Sequence, residues 1–309
     1  SRGLGDVYKR QMLYNKVASK VISVGDKIVH IFDSESKNID LVTVSSFGEE
    51  WSEFDYFNED EITSVGDEYF DIVDFSSISK ENSIALDVGC GTGRWSIYLC
   101  DKVKEIYAVD PSEAILTAAK LTEKNKNIHL SQASTDSLPF HDNTFDFVFS
   151  LGVLHHIPDT SSALNDIINK LKPGGTCLIY LYYALENRSF FYKIIFKCSN
   201  FLRLLICRMP FFIKKLACDI ITFLVYLPFI FLSKTMKVFA GENIANKVPL
   251  SYYRNKSLNI VRNDSLDRFG TPLEQRFSKK EIINMLKKNG AKNIVFSNSE
   301  PFWHVVFKK

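Results

Sequence analysis

The chain of 309 residues is short of several features that would define its role at once. It has no CxxC pair and no Cys/His spacing suited to zinc, so no metal site is expected. Its six cysteines (Cys90, Cys100, Cys177, Cys198, Cys207 and Cys218) mostly stand in apolar surroundings, where a reduced thiol packs as a small hydrophobe. No signal-peptide pattern opens the chain, and the expected compartment is a reducing cytoplasm. Basic residues are absent from Asn38 to Ser79, while acids are nearly absent from Arg188 to Lys237, where nine Lys and Arg face Asp219 alone. The net charge of +2 is too small for a general nucleic-acid binder, and no nucleic-acid partner is expected. The longest charge-free run, Ile220 to Ser233, has 14 residues and contains Pro228. A span needs about 20, so no transmembrane helix is expected. There is no internal repeat and no low-complexity tract.

What remains is a chain of ordinary globular composition, 46% apolar and 24% charged, with one rhythm dominating its middle. Ile84–Val88 is a short apolar run ending at glycines, as a buried parallel strand does. Glu105–Asp110, Ile128–Leu130, Phe145–Ser150 and Thr176–Leu181 repeat that pattern, with helices expected from Trp95 to Cys100, from Pro111 onward and from about Ser161 to Leu171. Ser278 and Glu281 form a capping box for a helix that Gly290 ends. Ile294–Phe296 and His304–Phe307 then suit a closing hairpin. The expected fold is α/β, a doubly wound and mainly parallel seven-stranded sheet with helices on both faces and an α-helical hydrophobic insertion. Five segments are expected: a leader over 1–11, leading helices over 12–75, the α/β core over 76–183, the insertion over 184–265 and the rest of the core over 266–309. Ser1 to Gln11 resembles a translated sequencing adapter, which makes Met12 the expected natural start.

Asp87-Val88-Gly89-Cys90-Gly91-Thr92-Gly93-Arg94 places an acid before GxGxG between a strand and a helix. Glycines let the backbone turn sharply and approach a ligand where a Cβ would collide. A dinucleotide-binding turn uses GxGxxG and seats a pyrophosphate. Here the third glycine comes one residue early, and Asp87 would oppose an anion. The segment resembles the first motif of class I S-adenosylmethionine (SAM)-dependent methyltransferases, with a Rossmann-like fold. The resemblance continues through Ala133–Phe140, Phe145–Val148 and Leu171–Gly175, covering about residues 84 to 182. It implies SAM as cofactor, with Asp87 toward the ammonium group and Gly89, Cys90, Gly91 and Gly93 forming the turn. Arg94 is expected to pair with the SAM carboxylate or with an acid such as Glu50. Asp110, 17 residues past Gly93, suits both ribose hydroxyls or a helix cap, and Pro111 follows it. Ser134 stands where relatives carry an adenine-binding acid, so either Asp136 or a backbone carbonyl must substitute, with Thr135 alongside. Ser150 and Leu151, ending the fourth strand, complete the expected cofactor contacts. Trp51, with Tyr56 and Phe57, is a candidate lid over the methionine end or part of a plain amphipathic helix.

His155 and His156 follow the fourth strand, at the sheet end where open α/β sheets bind ligands. Either is a candidate general base, His155 slightly favoured; loop shaping is the competing role. Arg268, Glu274 and Gln275 are candidate acceptor contacts, with surface solvation the competing role. Residues 189–233 interleave aromatics with Lys and Arg. Two readings stand: amphipathic helices capping the acceptor pocket, or a peripheral membrane contact at the inner face of the membrane. The function expected is methyl transfer to a small-molecule, glycan or lipid-linked acceptor, at O or C rather than N. The alternatives are a membrane-associated SAM-fold binding module without turnover and an NAD-dependent oxidoreductase.

Overall fold

The structure is a computed structural model that describes residues 13–34, 37–53, 59–186, 188–299 and 303–309. The expected leader over 1–11, Met12, and the lid candidates Tyr56 and Phe57 lie outside the described residues. The chain divides into two compact units, an α/β unit (1–51, 55–186, 273–309) and a helical unit centred on 187–272. The helical unit thus extends past the expected limit of 265.

In the α/β unit the strands are β1 (Lys20–Val24), β2 (Lys27–Ile31), β3 (Ile84–Val88), β4 (Glu105–Asp110), β5 (Ile128–Gln132), β6 (Phe145–Leu151), β7 (Leu171–Tyr180), β8 (Lys292–Phe296) and β9 (His304–Lys308). Their order across one sheet is β1-β2-β5-β4-β3-β6-β7-β9-β8. Pairing is parallel from β2 to β7 and antiparallel at both margins. The sheet therefore has nine strands among the described residues, not seven. The additions are β1 and β2, a hairpin turning at Gly25-Asp26, where Gly25 has φ +56°. Buried Lys27 secures it by donating to the Asn125 and Ile128 carbonyls at 2.6 and 2.8 Å. The closing hairpin of β8 and β9 forms as expected. β7 begins earlier than expected, because the ladder jumps from Phe145↔Leu171 to Phe147↔Thr176 and loops out Lys172 to Gly175.

Alternation along the strands supplies two cores. Leu86, Val88, Tyr107, Val109 and Phe145 meet α5 (Thr160–Lys170) and the capped helix Lys279–Lys288 on one face. On the other, Ala85, Ile106, Phe147 and Phe149 meet Trp95 and Leu99 of α3 (Arg94–Leu99) and Ile115 of α4 (Ala114–Leu121). The two preceding helices are α1 (Leu41–Glu53) and α2 (Glu59–Tyr69). The strand order reverses at β3, which has β4 on one side and β6 on the other. Ligands of open α/β sheets bind at the carboxyl ends beside such a switch.

The helical unit holds α6 (Phe190–Ile206), α7 (Phe211–Ala240), α8 (Glu242–Ala245) and α9 (Leu258–Gly270); the capped helix Lys279–Lys288 is α10. Ile206, Cys218, Tyr226, Ile230, Val261, Leu266 and Phe269 pack its interior. Here the 14-residue charge-free run understated the length of the apolar helix, against the expectation that no helix could span a membrane. A π-helical turn at Thr222–Tyr226 leads into Pro228, and the Leu227 N–H donates to the Thr222 carbonyl. The widened turn relaxes the i→i−4 ladder that proline cannot join. The helix runs through as 30 residues, long and apolar enough to cross a membrane by length and composition alone.

Phe149, fully buried in β6 between Phe147 and Phe70 at centroid distances of 5.6 and 5.7 Å, tests this core. Phe149→Ala should destabilise the α/β unit by about 3–5 kcal/mol, read from urea unfolding of the full chain followed by tryptophan emission.

Candidate active site at the switch point

The glycine turn is shaped from the strand end outward. The N–H groups of Gly89 and Cys90 both donate to the Val109 carbonyl, at 2.7 and 3.0 Å, and Gly93 N–H closes the turn onto Cys90 O at 2.8 Å. Gly89 and Gly91 have φ of +77° and +53°, a region side chains disfavour. A Cβ on Gly89 would collide with Val153, and one on Gly91 would lie 3.3 Å from Trp51 Nε1. Trp51 therefore covers the turn from α1. Arg94, which starts α3, has its guanidinium 4.5 Å from the Trp95 ring centroid and 5.4 Å from that of Trp51.

Two acids end adjacent strands below this turn. Asp87 is 1% exposed and accepts a 2.7 Å hydrogen bond from Ser96 Oγ–H. Burial pushes its carboxyl up to about 7, Ser96 opposes this, and the neighbouring charge of Asp110 adds to it. Asp110 is also buried, and burial raises it against the hydrogen bonds it accepts. Its Oδ1 accepts from Ser112 N–H and Oγ–H at 2.8 and 2.6 Å; its Oδ2 accepts from Gly91 N–H at 2.8 Å. Asp110 thus braces the turn and the chain entering α4, whose cap is Glu113. A carboxylate oxygen offers two acceptor positions, so Oδ2 keeps one for a ribose hydroxyl. A bond to the second hydroxyl requires Ser112 to release Oδ1.

Several of the other expected residues lie near this pair. Pro111 accepts from Gln132 through its carbonyl, and buried Ser150 donates to Val88 O at 2.8 Å, tying β6 to β3. Leu151 is buried at the end of β6, and Ser134 caps the 3-10 turn Thr135–Ser137. Asp136 does not present a free carboxylate in place of the missing adenine acid. Its Oδ2 accepts the Lys37 and Asn38 N–H groups at 2.9 Å each, and Oδ1 accepts from Ser134 Oγ. Burial opposes its charge, but these hydrogen bonds win and hold its carboxyl below the usual value. Two buried hydroxyls, Thr92 Oγ1 in the turn and Thr135 Oγ1 after β5, have no protein hydrogen-bond partner. An unpaired buried hydroxyl is costly; a polar ligand would satisfy both.

The histidines divide. Both lie in the 3-10 turn Leu154–His156 after β6. His156 Nδ1–H donates to Leu273 O at 2.6 Å, and its ring meets Phe47 edge-on at 4.9 Å. This is the loop-shaping arrangement, reinforced by Gln275, whose N–H donates to His155 O and whose Nε2 donates to Ile157 O. His155 is fully buried, stacked on Tyr182 at 3.8 Å, and neither ring nitrogen has a hydrogen-bond partner. Burial, then the charges of His156 and Arg276, hold it well below the ordinary histidine value, so it is neutral. Sequence reasoning missed Tyr182 and Arg276, whose guanidinium lies 4.9 Å from the Tyr182 centroid and pairs with buried Glu274 at 2.9 Å. Only the fold brings them to His155.

Residues 86–179 match the family model described as a methyltransferase domain. This stretch is a methyltransferase domain. The chain is 39% identical over 124 residues to a demethylmenaquinone methyltransferase of Staphylococcus haemolyticus, covering 38% of this chain and 52% of that one. It is 34% identical over 123 residues to a ubiquinone biosynthesis O-methyltransferase of Hydrogenovibrio crunogenus, covering 38% and 48%. It is 38% identical over 106 residues to a tRNA U34 carboxymethyltransferase of Pseudoalteromonas atlantica, covering 33% and 32%. The chain thus spans about half the length of the first two relatives and about a third of the third.

The methyltransferase domain fits SAM on its own geometry. Two adjacent buried carboxylates with raised pKa values favour a ligand bringing positive charge and hydroxyl donors, and disfavour a pyrophosphate. The same raised pKa has a consequence for stability. Asp87 holds its proton more tightly folded than unfolded, so its contribution is full below 3.8 and is lost as pH rises through about 7. Asp87→Asn should flatten that part of the stability–pH curve of the ligand-free chain, measured by thermal unfolding from acidic to neutral pH.

Proposed function

We propose that this chain transfers the methyl group of SAM to an oxygen or carbon atom of a small-molecule acceptor. The observation that carries the proposal is the pair Asp87 and Asp110, buried at the ends of β3 and β4 against a glycine turn that Trp51 covers. Bound SAM supplies an electrophilic methyl carbon on a sulfonium that leaves without further activation. Asp87 receives the ammonium group, and the spare acceptor position of Asp110 Oδ2 receives a ribose hydroxyl. Trp51 excludes water from the turn, which strengthens each of these contacts. Displacement then depends mainly on holding donor and acceptor in line.

His155 is the residue to receive the proton an oxygen or carbon acceptor gives up. It is neutral, its ring nitrogens have no hydrogen-bond partner among the described residues, and it follows the strand next to β3. The small-molecule class is supported by the names of the two relatives concerned with menaquinone and ubiquinone. A glycan or lipid-linked acceptor is the second acceptor class, favoured by the apolar helical unit discussed below. The glycine spacing and the buried acids oppose the dinucleotide reading.

Incubation of the full chain with methyl-labelled SAM and extracted metabolites should release S-adenosylhomocysteine and transfer the label to one product. SAM binding with no S-adenosylhomocysteine from any acceptor would leave a binding module without turnover. In the active enzyme, His155→Asn should lower kcat about a hundredfold. Its SAM affinity, measured by calorimetry, should stay within about twofold; equal losses in both would make His155 structural.

A further inference from the structure

The helical unit reverses the usual polarity of a folded protein. Along α7 the buried positions are Lys214, Cys218, Thr222, Tyr226, Ile230 and Ser233, a single stripe at helical spacing that is mostly polar or small. The opposite positions are large and apolar. Phe212, Leu224, Phe231 and Phe239 are 76%, 72%, 71% and 84% exposed. Only 28% of the most apolar stretch of α7 is buried. The same inversion holds in α6, where Phe190, Ile195 and Phe201 are exposed and Arg203 is buried.

Several of these inward-facing polar groups are hydrogen-bonded. Arg203 donates to the Thr271 and Pro272 carbonyls at 2.7 Å each. Arg262 pairs with Asp219 through two bonds of 2.7 and 2.8 Å, removing the sole acid of the segment from the surface charge. Thr222 donates to Cys218 O, Ser233 to Ala245 O and Ser265 to Cys218 O. In water such an arrangement gives up the hydrophobic effect, since the large side chains stay wet. In lipid it is the favoured one: polar groups turn inward and pair, small residues meet between helices, and apolar side chains face the acyl chains.

We propose that the helical unit embeds the exposed faces of α6 and α7 in one leaflet of an anionic lipid bilayer. Charge supports lipid over a second copy of the chain. Exposed Lys193, Lys197, Arg208, Lys234 and Lys237 border the apolar faces with no unpaired acid between 188 and 237. They complement anionic headgroups, whereas two copies would set these cations against each other. Length sets the depth. The charge-free run of 14 residues reaches about 21 Å at 1.5 Å per residue. Hydrocarbon is about 30 Å thick, so α7 enters one leaflet, with exposed Lys234 near its C-terminal end reaching the headgroups. This proposal is independent of methyl transfer.

The test is flotation of the full chain with vesicles of one part phosphatidylglycerol to three parts phosphatidylcholine. The chain should float and stay bound in about 1 M NaCl, where the Debye length falls to about 3 Å. The double variant Leu224→Glu/Phe231→Glu alters exposed positions only, and circular dichroism checks that its helices persist. It should bind at least about tenfold less at equal lipid. The proposal is overturned by absence of flotation, by loss of binding in high salt, or by equal flotation of the double variant. It is overturned equally by sedimentation as a dimer that the double variant dissociates while neither protein floats.

Discussion

The hydrogen bond from Gly91 N–H to Asp110 Oδ2 joins the two halves of the candidate cofactor site. It ties the turn after β3 to the end of β4, and it fixes a backbone conformation that residues other than glycine disfavour. Because Gly91 is held there, Trp51 can lie against it, and Arg94 starts α3 within reach of the indole. Because Asp110 is held there, its charge reaches Asp87 and helps raise that carboxyl toward neutrality. The apo site therefore carries a latent demand for positive charge in a place water hardly enters. That demand separates SAM from an anionic dinucleotide more sharply than glycine spacing does.

The two units solve opposite solvation problems. In the α/β unit Phe147, Phe149, Leu86 and Ile106 are buried and the strands read as near-continuous apolar runs. In the helical unit many large apolar side chains of α6 and α7 face out, while Arg203 and Lys214 are buried and the Arg262–Asp219 pair is half-buried. A half-buried ion pair of this kind contributes little stability in water.

Much of the α/β core was legible in sequence because it is local. Ile84–Val88, the glycine turn and the Ser278/Glu281 capping box are short patterns whose meaning depends on neighbours a few residues away. The missed elements depend on distant partners. β1 and β2 are short and half exposed, and β2 becomes part of the sheet only by pairing with β5, about a hundred residues on. The Gly25-Asp26 turn and the short β-branched run from Lys27 to Phe32 were the local signals for that hairpin. Asp136 looked free for adenine because its true partners, Lys37 and Asn38, lie far upstream. His156 and His155 look alike in sequence; the Leu273 carbonyl and the Tyr182 ring tell them apart. The full 30-residue length of α7 was not legible, because the π-helical turn that carries the helix through Pro228 has no recognisable sequence pattern.

The central claim is that the turn capped by Trp51 binds SAM through two buried acids. The most direct measurement is tryptophan emission of the full chain during titration with SAM, S-adenosylhomocysteine and NAD. The account predicts a saturable change with both SAM and S-adenosylhomocysteine, none with NAD, and loss of the change in Trp51→Phe. A saturable response to NAD, or a SAM response that persists in Trp51→Phe with unchanged amplitude, would contradict it.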